Sequence, residues 1–297
     1  MLELHIKRDI EKISSEILKG SKSFDIFPTP VDNIVSYADL IVNNGIDLSK
    51  IHPDYISQAS NVLYKALGKV RGILDRKKKI ILLDLEQLPQ RKNFVKLHEV
   101  GHHALDWQRN IFDLLGDDDD SLDLSTREQF EAEANYFASI TIFQHDRFLA
   151  EVKKYNLSIE SAMKISAYFG ASIHATLRRY VEFSKKRCAL LVLENIPPIN
   201  SFPICHLKDC FISKRFSETF GPLPLPSEMG YKWPFVRDYY YRKKFTTGHI
   251  LTLSTNEGKV DFHYQFFYNG YNGFVFLYPK GEKQNAQNTV IITGSHN

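Results

Sequence analysis

Three cysteines, Cys188, Cys205 and Cys210, are all that the 297 residues contain. They are too few for a disulfide framework, and the odd count leaves one unpaired, so a reducing cytoplasm is the expected compartment. Long apolar runs are also missing: none approaches the roughly 18 residues of a membrane span. The N-terminal stretch MLELHIKRDIEKISSEIL is amphipathic and charged where a signal peptide needs a continuous apolar segment, so secretion by that route is not expected. Charge of one sign is not in excess. With 38 Lys plus Arg against 35 Asp plus Glu, the net charge of +3 does not by itself point to nucleic acid or an anionic membrane. No internal repeat is present, and the one low-complexity tract is the run Asp117–Asp120.

What is present is a globular composition, 43% hydrophobic and 25% charged with a high aromatic share of 13%, on a chain long enough for two or three modules. Leu2, Ile6, Ile10, Ile13 and Ile17 recur at helical spacing, predicting a helix over residues 1–20 that the breaker-rich SKSFDIFPTP ends. A second helix is predicted after Pro30, through VDNIVSYADLIVNNG, with a left-handed cap at Asn44 and Gly45. GILDRKKKIILLDLE reads as a β-hairpin or edge pair around the charged tetrad Arg76 to Lys79, whose lysines would guard the edge.

A helix is predicted from Asn93 to about Trp107, and another from Ser125, where Ser125 and Glu128 form an S-x-x-E capping box. Residues 158–184 read as helix, Gly170 turn, helix, with Ser172 a candidate cap; an ordinary αα-hairpin is favoured over a DNA reader. Beyond Arg187 the texture becomes β-rich: RCALLVLE, a proline-rich loop through Pro226, then HILTLST, KVDFHYQFFY, GFVFLYP and NTVIITG. Val260, Phe262, Tyr264 and Phe266 alternate with polar residues, the pattern of a half-buried strand.

The chemistry lies in FVKLHEVGHHALDW, which holds His98-Glu99-Val100-Gly101-His102, an H-E-x-x-H motif on a predicted helix. Positions i and i+4 share one face, so both imidazoles reach one cation, and Glu99 is aimed at the water beside it. With 11 His and 16 Glu in the chain, chance supplies roughly 0.02 such motifs. A catalytic zinc needs a third protein ligand and leaves one position to water. Glu133, 31 residues past His102, sits among Ala132, Ala134, Phe137 and Ala138, where a carboxylate is poorly solvated unless paired or metal-bound. Glu131 is its rival, on a different face of the same helix.

These stretches resemble the ImmA/IrrE family of zinc metallopeptidases. The resemblance rests on L-H-E-V-G-H-H, on E-A-N-Y-F-A at 133–138 and on Gly72-Ile-Leu-Asp with the apolar run after it. It extends through YFGASIHATLRRYVEF and RCALLVL, covering roughly residues 25–195. It implies His98, His102 and Glu133 as zinc ligands and Glu99 as general base. Family members commonly end the second helix with a Leu-Met-Pro-like stretch, whereas this chain reads Ile140-Thr-Ile-Phe-Gln144.

The expected fold is mixed α+β. It comprises an N-terminal helix over 1–24, a zincin-like metallopeptidase core over 25–150, a helix-turn-helix-like hairpin over 151–186 and a β-rich, sensor-like C-terminal domain over 187–297. The expected function is zinc-dependent endopeptidase activity of narrow specificity, and the resemblance implies a regulatory role, cleaving a helix-turn-helix transcriptional repressor or a similar partner in response to stress, DNA damage or a mobile element. No direct nucleic-acid binding is expected, and the alternative is a non-enzymatic regulator that uses the metal fold as a protein-binding platform. The strand Ile80–Leu85 is expected to receive substrate by edge pairing. Tyr136, His145, His174, Arg178 and Arg179 are unranked candidates for stabilising the oxyanion, and His103 is assigned to the surface or to support of the site. Cys205-His206 and Cys210 with Cys188 read as incidental cysteines rather than a second metal site. Asp117–Asp120 lacks EF-hand spacing, and the cluster Trp233, Phe235, Tyr239, Tyr240 and Tyr241 reads as a packed edge rather than a base-stacking surface.

Overall fold

The computed structural model describes residues 2–46, 72–76, 78–84, 89–115, 123–194 and 202–282. The Asp117–Asp120 run and the strand NTVIITG lie outside the described residues. The fold is mixed α+β and divides into two compact units, Met1–Phe148 with Ser166–Ser172, and Leu149–Ile165 with Ile173–Asn297.

In the first unit, helix α1 (Leu4–Gly20) buries Ile10 and Ile17 of the predicted stripe, together with Ser14 and Leu18, while Ile6 and Ile13 are half-buried. The predicted second helix is shorter than expected. Helix α2 (Val31–Tyr37) stops at Asp39, whose φ of 57° breaks it, and strand β1 (Ile41–Ile46) follows. The segment LIVNNGI is a strand because it finds a partner in the sheet, a tertiary choice that local periodicity does not reveal. Strands β2 (Gly72–Asp75) and β3 (Ile80–Asp84) form the expected hairpin, in register Asp75↔Ile80 to Gly72↔Leu83, with Lys79 at φ 56° in the turn and in contact with Asp39. The sheet order is β1-β3-β2, with β1 parallel to β3. β3 is therefore central and cannot accept a substrate strand along its edge, which corrects that expectation. Ile81 and Leu83 point into the core.

Helix α3 (Pro89–Ala104) carries the H-E-x-x-H motif and gives way to α4 (Asp106–Leu115) after a break at Leu105. Helix α5 (Leu124–Ile142) is capped by Asp123, whose carboxylate accepts from the Thr126 N–H at 3.0 Å. Ser125, expected as the cap, instead donates its hydroxyl to Asp123: a side chain two residues earlier reached the orphan donors first. Helices α3 and α5 meet closely at Gly101. A Cβ there would lie 3.1 Å from Phe137 Cδ1 and 3.3 Å from Ala134 Cα, so the x-Gly of the motif is dictated by helix approach. At the end of α5, Gln144 donates to Ser23 and Ile26 carbonyls and to Thr29 Oγ1, and accepts from the Asp25 N–H. The departure from the family's usual helix ending thus clamps the breaker-rich segment after α1.

Helix α6 (Arg147–Val152) follows, and then α7 (Ile159–Phe169) and α8 (Ile173–Glu182), separated by a turn at Gly170, φ 70°. In the second unit α8 lies against β4 (Ala189–Glu194) and β5 (Cys205–Ile212). Arg178 pairs with Glu182, and Arg179 is 8% exposed. The helix that a DNA reader would offer to a groove is docked on a sheet.

The predicted proline-rich loop, through Pro226, holds β5 and helix α9 (Lys214–Phe220), capped by Ser213, and the short β6 (Glu228–Met229) follows it. After helix α10 (Pro234–Tyr240) come β7 (Phe245–Thr255), β8 (Gly258–Tyr268) and β9 (Gly273–Pro279). The sheet is antiparallel, in the order β6-β5-β4-β9-β8-β7. β4 and β9 are covered on both faces, whereas β8 buries Phe262, Tyr264 and Phe266, its predicted face. Phe235 and Tyr239 belong to this core, in keeping with a packed edge. Cys205 and Cys210 are five residues apart on one strand, roughly 16 Å of extended chain, and no thiol joins a metal-ligating group among the described residues.

Replacing Gly101 by Val is expected to force α3 and α5 apart, lowering the unfolding free energy by about 1–3 kcal/mol. Urea denaturation measures this, and an unchanged midpoint would refute the close approach.

Candidate metal centre

One turn of α3 separates His98 and His102, and their Nε2 atoms lie 3.0 Å apart. Across from them, α5 presents Glu131: one carboxylate oxygen is 3.4 Å from His98 Nε2 and the other 3.4 Å from His102 Nε2. The imidazoles are buried, whereas the Glu131 side chain is 51% exposed, so the group opens to solvent on the carboxylate side. Ligand bonds of 2.0–2.2 Å in a tetrahedral zinc site place the ligand atoms about 3.3 Å apart. The two nitrogens and the nearer carboxylate oxygen of each are close to that spacing, and one ligand atom from each of the three residues lies within 4.8 Å of the others.

Glu133, expected as the third ligand, is not brought into this group. Two residues along a helix are about 200° apart, so when Glu131 faces the imidazoles Glu133 turns away into the protein. There it is 1% exposed and accepts hydrogen bonds from Trp107 Nε1 at 2.7 Å, Gln108 Nε2 at 2.7 Å and Gln129 Nε2 at 2.9 Å. A carboxylate buried among apolar neighbours must be paired or metal-bound, and here three N–H donors supply the pairing.

Trp107 and Gln108 were missed by sequence reasoning. The break at Leu105 turns the chain back, with the Gln108 and Arg109 N–H groups donating to the Leu105 carbonyl, so that Gln108 returns to the motif it has just left. Gln108 Oε1 lies 2.7 Å from His102 Nδ1. No motif spacing signals such a contact across a helix break; the one available hint was the pair of hydrogen-bonding side chains immediately after the motif helix.

Glu99 is 5% exposed and close enough to His102 for its charge to favour the imidazolium. Burial disfavours that charge, but the Glu131 hydrogen bond and carboxylate, with Glu99, outweigh it and raise the His102 pKa; Arg76, in the β2–β3 turn, opposes them. For Glu131, burial would raise the pKa, yet hydrogen bonds from His102 and His98 and their charges hold the carboxyl far below its usual range. Of the candidate oxyanion donors, Tyr136 donates to Glu11 at 2.6 Å and His145 Nε2 meets Ser14 and Ser15. His174, Arg178 and Arg179 belong to the second unit, where His174 packs on Phe274.

Residues 59–180 match the family model Peptidase_M78, described as the IrrE N-terminal-like domain. The resemblance read from the motifs is thereby shown. Among solved structures, a Mycobacterium tuberculosis transcriptional regulator is similar at 11% identity and a TM-score of 0.50, over 91% of this chain and 75% of that one. At that identity the likeness concerns the fold. No curated protein matches the chain.

In metal-free protein the Glu131–His102 pairing stabilises the fold between the depressed carboxyl pKa and the raised imidazole pKa. The Glu131 contribution is lost as pH falls through its low value, and the His102 contribution as pH rises through its raised one. Glu131→Gln is therefore expected to destabilise most near pH ~5–6 and least in alkali, and to let burial pull the His102 pKa down. Chemical denaturation across pH and NMR titration check both; a His102 pKa unchanged by the substitution would contradict the geometry.

Proposed function

We propose that this chain is a zinc-dependent endopeptidase of narrow specificity, in which His98, His102 and Glu131 hold the metal and Glu99 is the general base. The observation that carries this reading is the convergence of two imidazole nitrogens and a carboxylate, with ligand atoms within 4.8 Å of one another, beside a buried glutamate. Two nitrogens and an oxygen suit zinc, and three protein ligands leave a position for reaction. Bound there, zinc would supply a Lewis acid that polarises the scissile carbonyl and acidifies water.

The chain's own residues do the rest. Glu99 takes a proton from water as its oxygen bonds to the carbonyl carbon, then delivers that proton to the amine nitrogen as the C–N bond breaks. Net, one water is consumed and one amide becomes a carboxylate and a protonated amine. The low dielectric around Glu99 strengthens its interaction with the proton in flight.

The family match supports a metallopeptidase-like regulator, and the proposed substrate is a regulatory protein such as a helix-turn-helix repressor, cut in response to stress. No helix among the described residues is long and apolar enough to cross a membrane. Action in the cytoplasm on a protein partner, without direct nucleic-acid binding, is the corresponding proposal. The C-terminal sheet is proposed to serve as the sensor-like part.

Elemental analysis tests the centre. The wild-type protein is expected to hold about one zinc per chain, with His98→Ala and Glu131→Ala losing it and Glu133→Gln retaining it. Glu99→Gln is expected to keep the metal and lose cleavage of a peptide library, followed by mass spectrometry, by ~100-fold or more. A wild-type protein that cannot be loaded with zinc defeats the peptidase reading, and zinc loss in Glu133→Gln with retention in Glu131→Ala would exchange the two glutamates.

A further inference from the structure

We infer that Gln108 is a positioning residue that fixes the proton on His102 and links that imidazole to the buried carboxylate of Glu133. The inference deepens the proposed metal centre and rests on that reading for its purpose, although the geometry behind it stands within the protein alone.

Gln108 is fully buried. Its amide nitrogen has two protons, and the groups it faces are acceptors only: the Phe130 carbonyl at 3.2 Å and the Glu133 carboxylate at 2.7 Å. Turning the amide over would set its oxygen against both, two buried repulsive contacts. The amide oxygen must then face His102 Nδ1, 2.7 Å away. A carbonyl oxygen cannot donate, so Nδ1 carries the proton, and in the neutral ring Nε2 is left with its lone pair toward His98 and Glu131. That is the tautomer a metal ligand needs.

Behind Gln108, Glu133 is a buried negative charge held by three side-chain donors, two of them, Trp107 and Gln108, on the segment that follows the motif helix. Its charge polarises the Gln108 amide, which strengthens the amide oxygen as an acceptor and makes His102 the more basic ligand. His98 has no counterpart among the described residues, where its buried Nδ1 meets no hydrogen-bond partner. The two histidines are thus unequal: one is braced through an amide to a carboxylate, and the other is placed by packing.

Gln108→Met and Gln108→Glu separate this role from mere packing. Methionine matches the shape of glutamine but offers no oxygen to His102. Glutamate keeps an acceptor there while crowding a second carboxylate against Glu133. Global stability is expected to fall further in Gln108→Glu. Zinc affinity, measured by chelator competition, is expected to rank the other way: a loss of about 10–100-fold in Gln108→Met and within about fivefold of wild type in Gln108→Glu, which retains the acceptor. In metal-free protein near pH 8, long-range proton–nitrogen NMR is expected to show His102 as the Nδ1–H tautomer in wild type and Gln108→Glu, and as a mixture in Gln108→Met.

If affinity follows stability across the variants, or if wild-type His102 carries its proton on Nε2, Gln108 has no positioning role. If the wild-type protein binds no zinc, the peptidase reading fails by itself, and the tautomer measurement still decides whether Gln108 sets the proton. Should Gln108→Met fail to fold, the wild-type and Gln108→Glu spectra carry the decision.

Discussion

The first unit is organised by the close approach of α3 and α5. At Gly101 the helix carrying both histidines lies almost on the backbone of Ala134, and Phe137 closes the same contact. With the axes this near, a carboxylate one turn before Ala134 reaches two imidazoles flanking Gly101, and Glu131 is that carboxylate. A larger residue at 101 would move the acid away from the bases. The three-stranded sheet and α1 serve this arrangement from outside: β3 buries Ile81 and Leu83 in the core, and α1 packs along α5.

Around that contact, buried polarity is arranged in layers. His98, His102, Glu99 and Glu133 are each at most 6% exposed, and a cluster of this kind is tolerable only if its charges are matched. Glu131 answers the imidazoles from the solvent side. Glu133 is answered by Trp107, Gln108 and Gln129 from the protein side. Gln108 joins the layers because an amide is a donor at one end and an acceptor at the other.

Much of this was legible in the sequence. H-E-x-x-H places two histidines together with a glutamate beside them because helix geometry alone puts i and i+4 on one face, and the family match over 59–180 spans that motif. The half-buried strand at 260–266 and the β2–β3 hairpin followed from alternation and turn residues for the same local reason. Glu133 was read as buried and in need of partners, which it is, but the kind of partner could not be read, because Trp107 and Gln108 reach it only after the chain doubles back at Leu105.

The sequence by itself therefore determined what is local: the helices and their apolar faces, the hairpin, the two histidines and the glutamate between them. Tertiary structure decided which strand would be central, turning LIVNNGI into β1 and closing the edge of β3. It decided that Asp123 rather than Ser125 would cap α5, and which of two glutamates two residues apart would face the imidazoles. The physical reason is the same in each case. Periodicity specifies a residue's angle about its own axis, whereas the neighbour it meets depends on where a second element is packed, and at this site that was set by the missing side chain of Gly101.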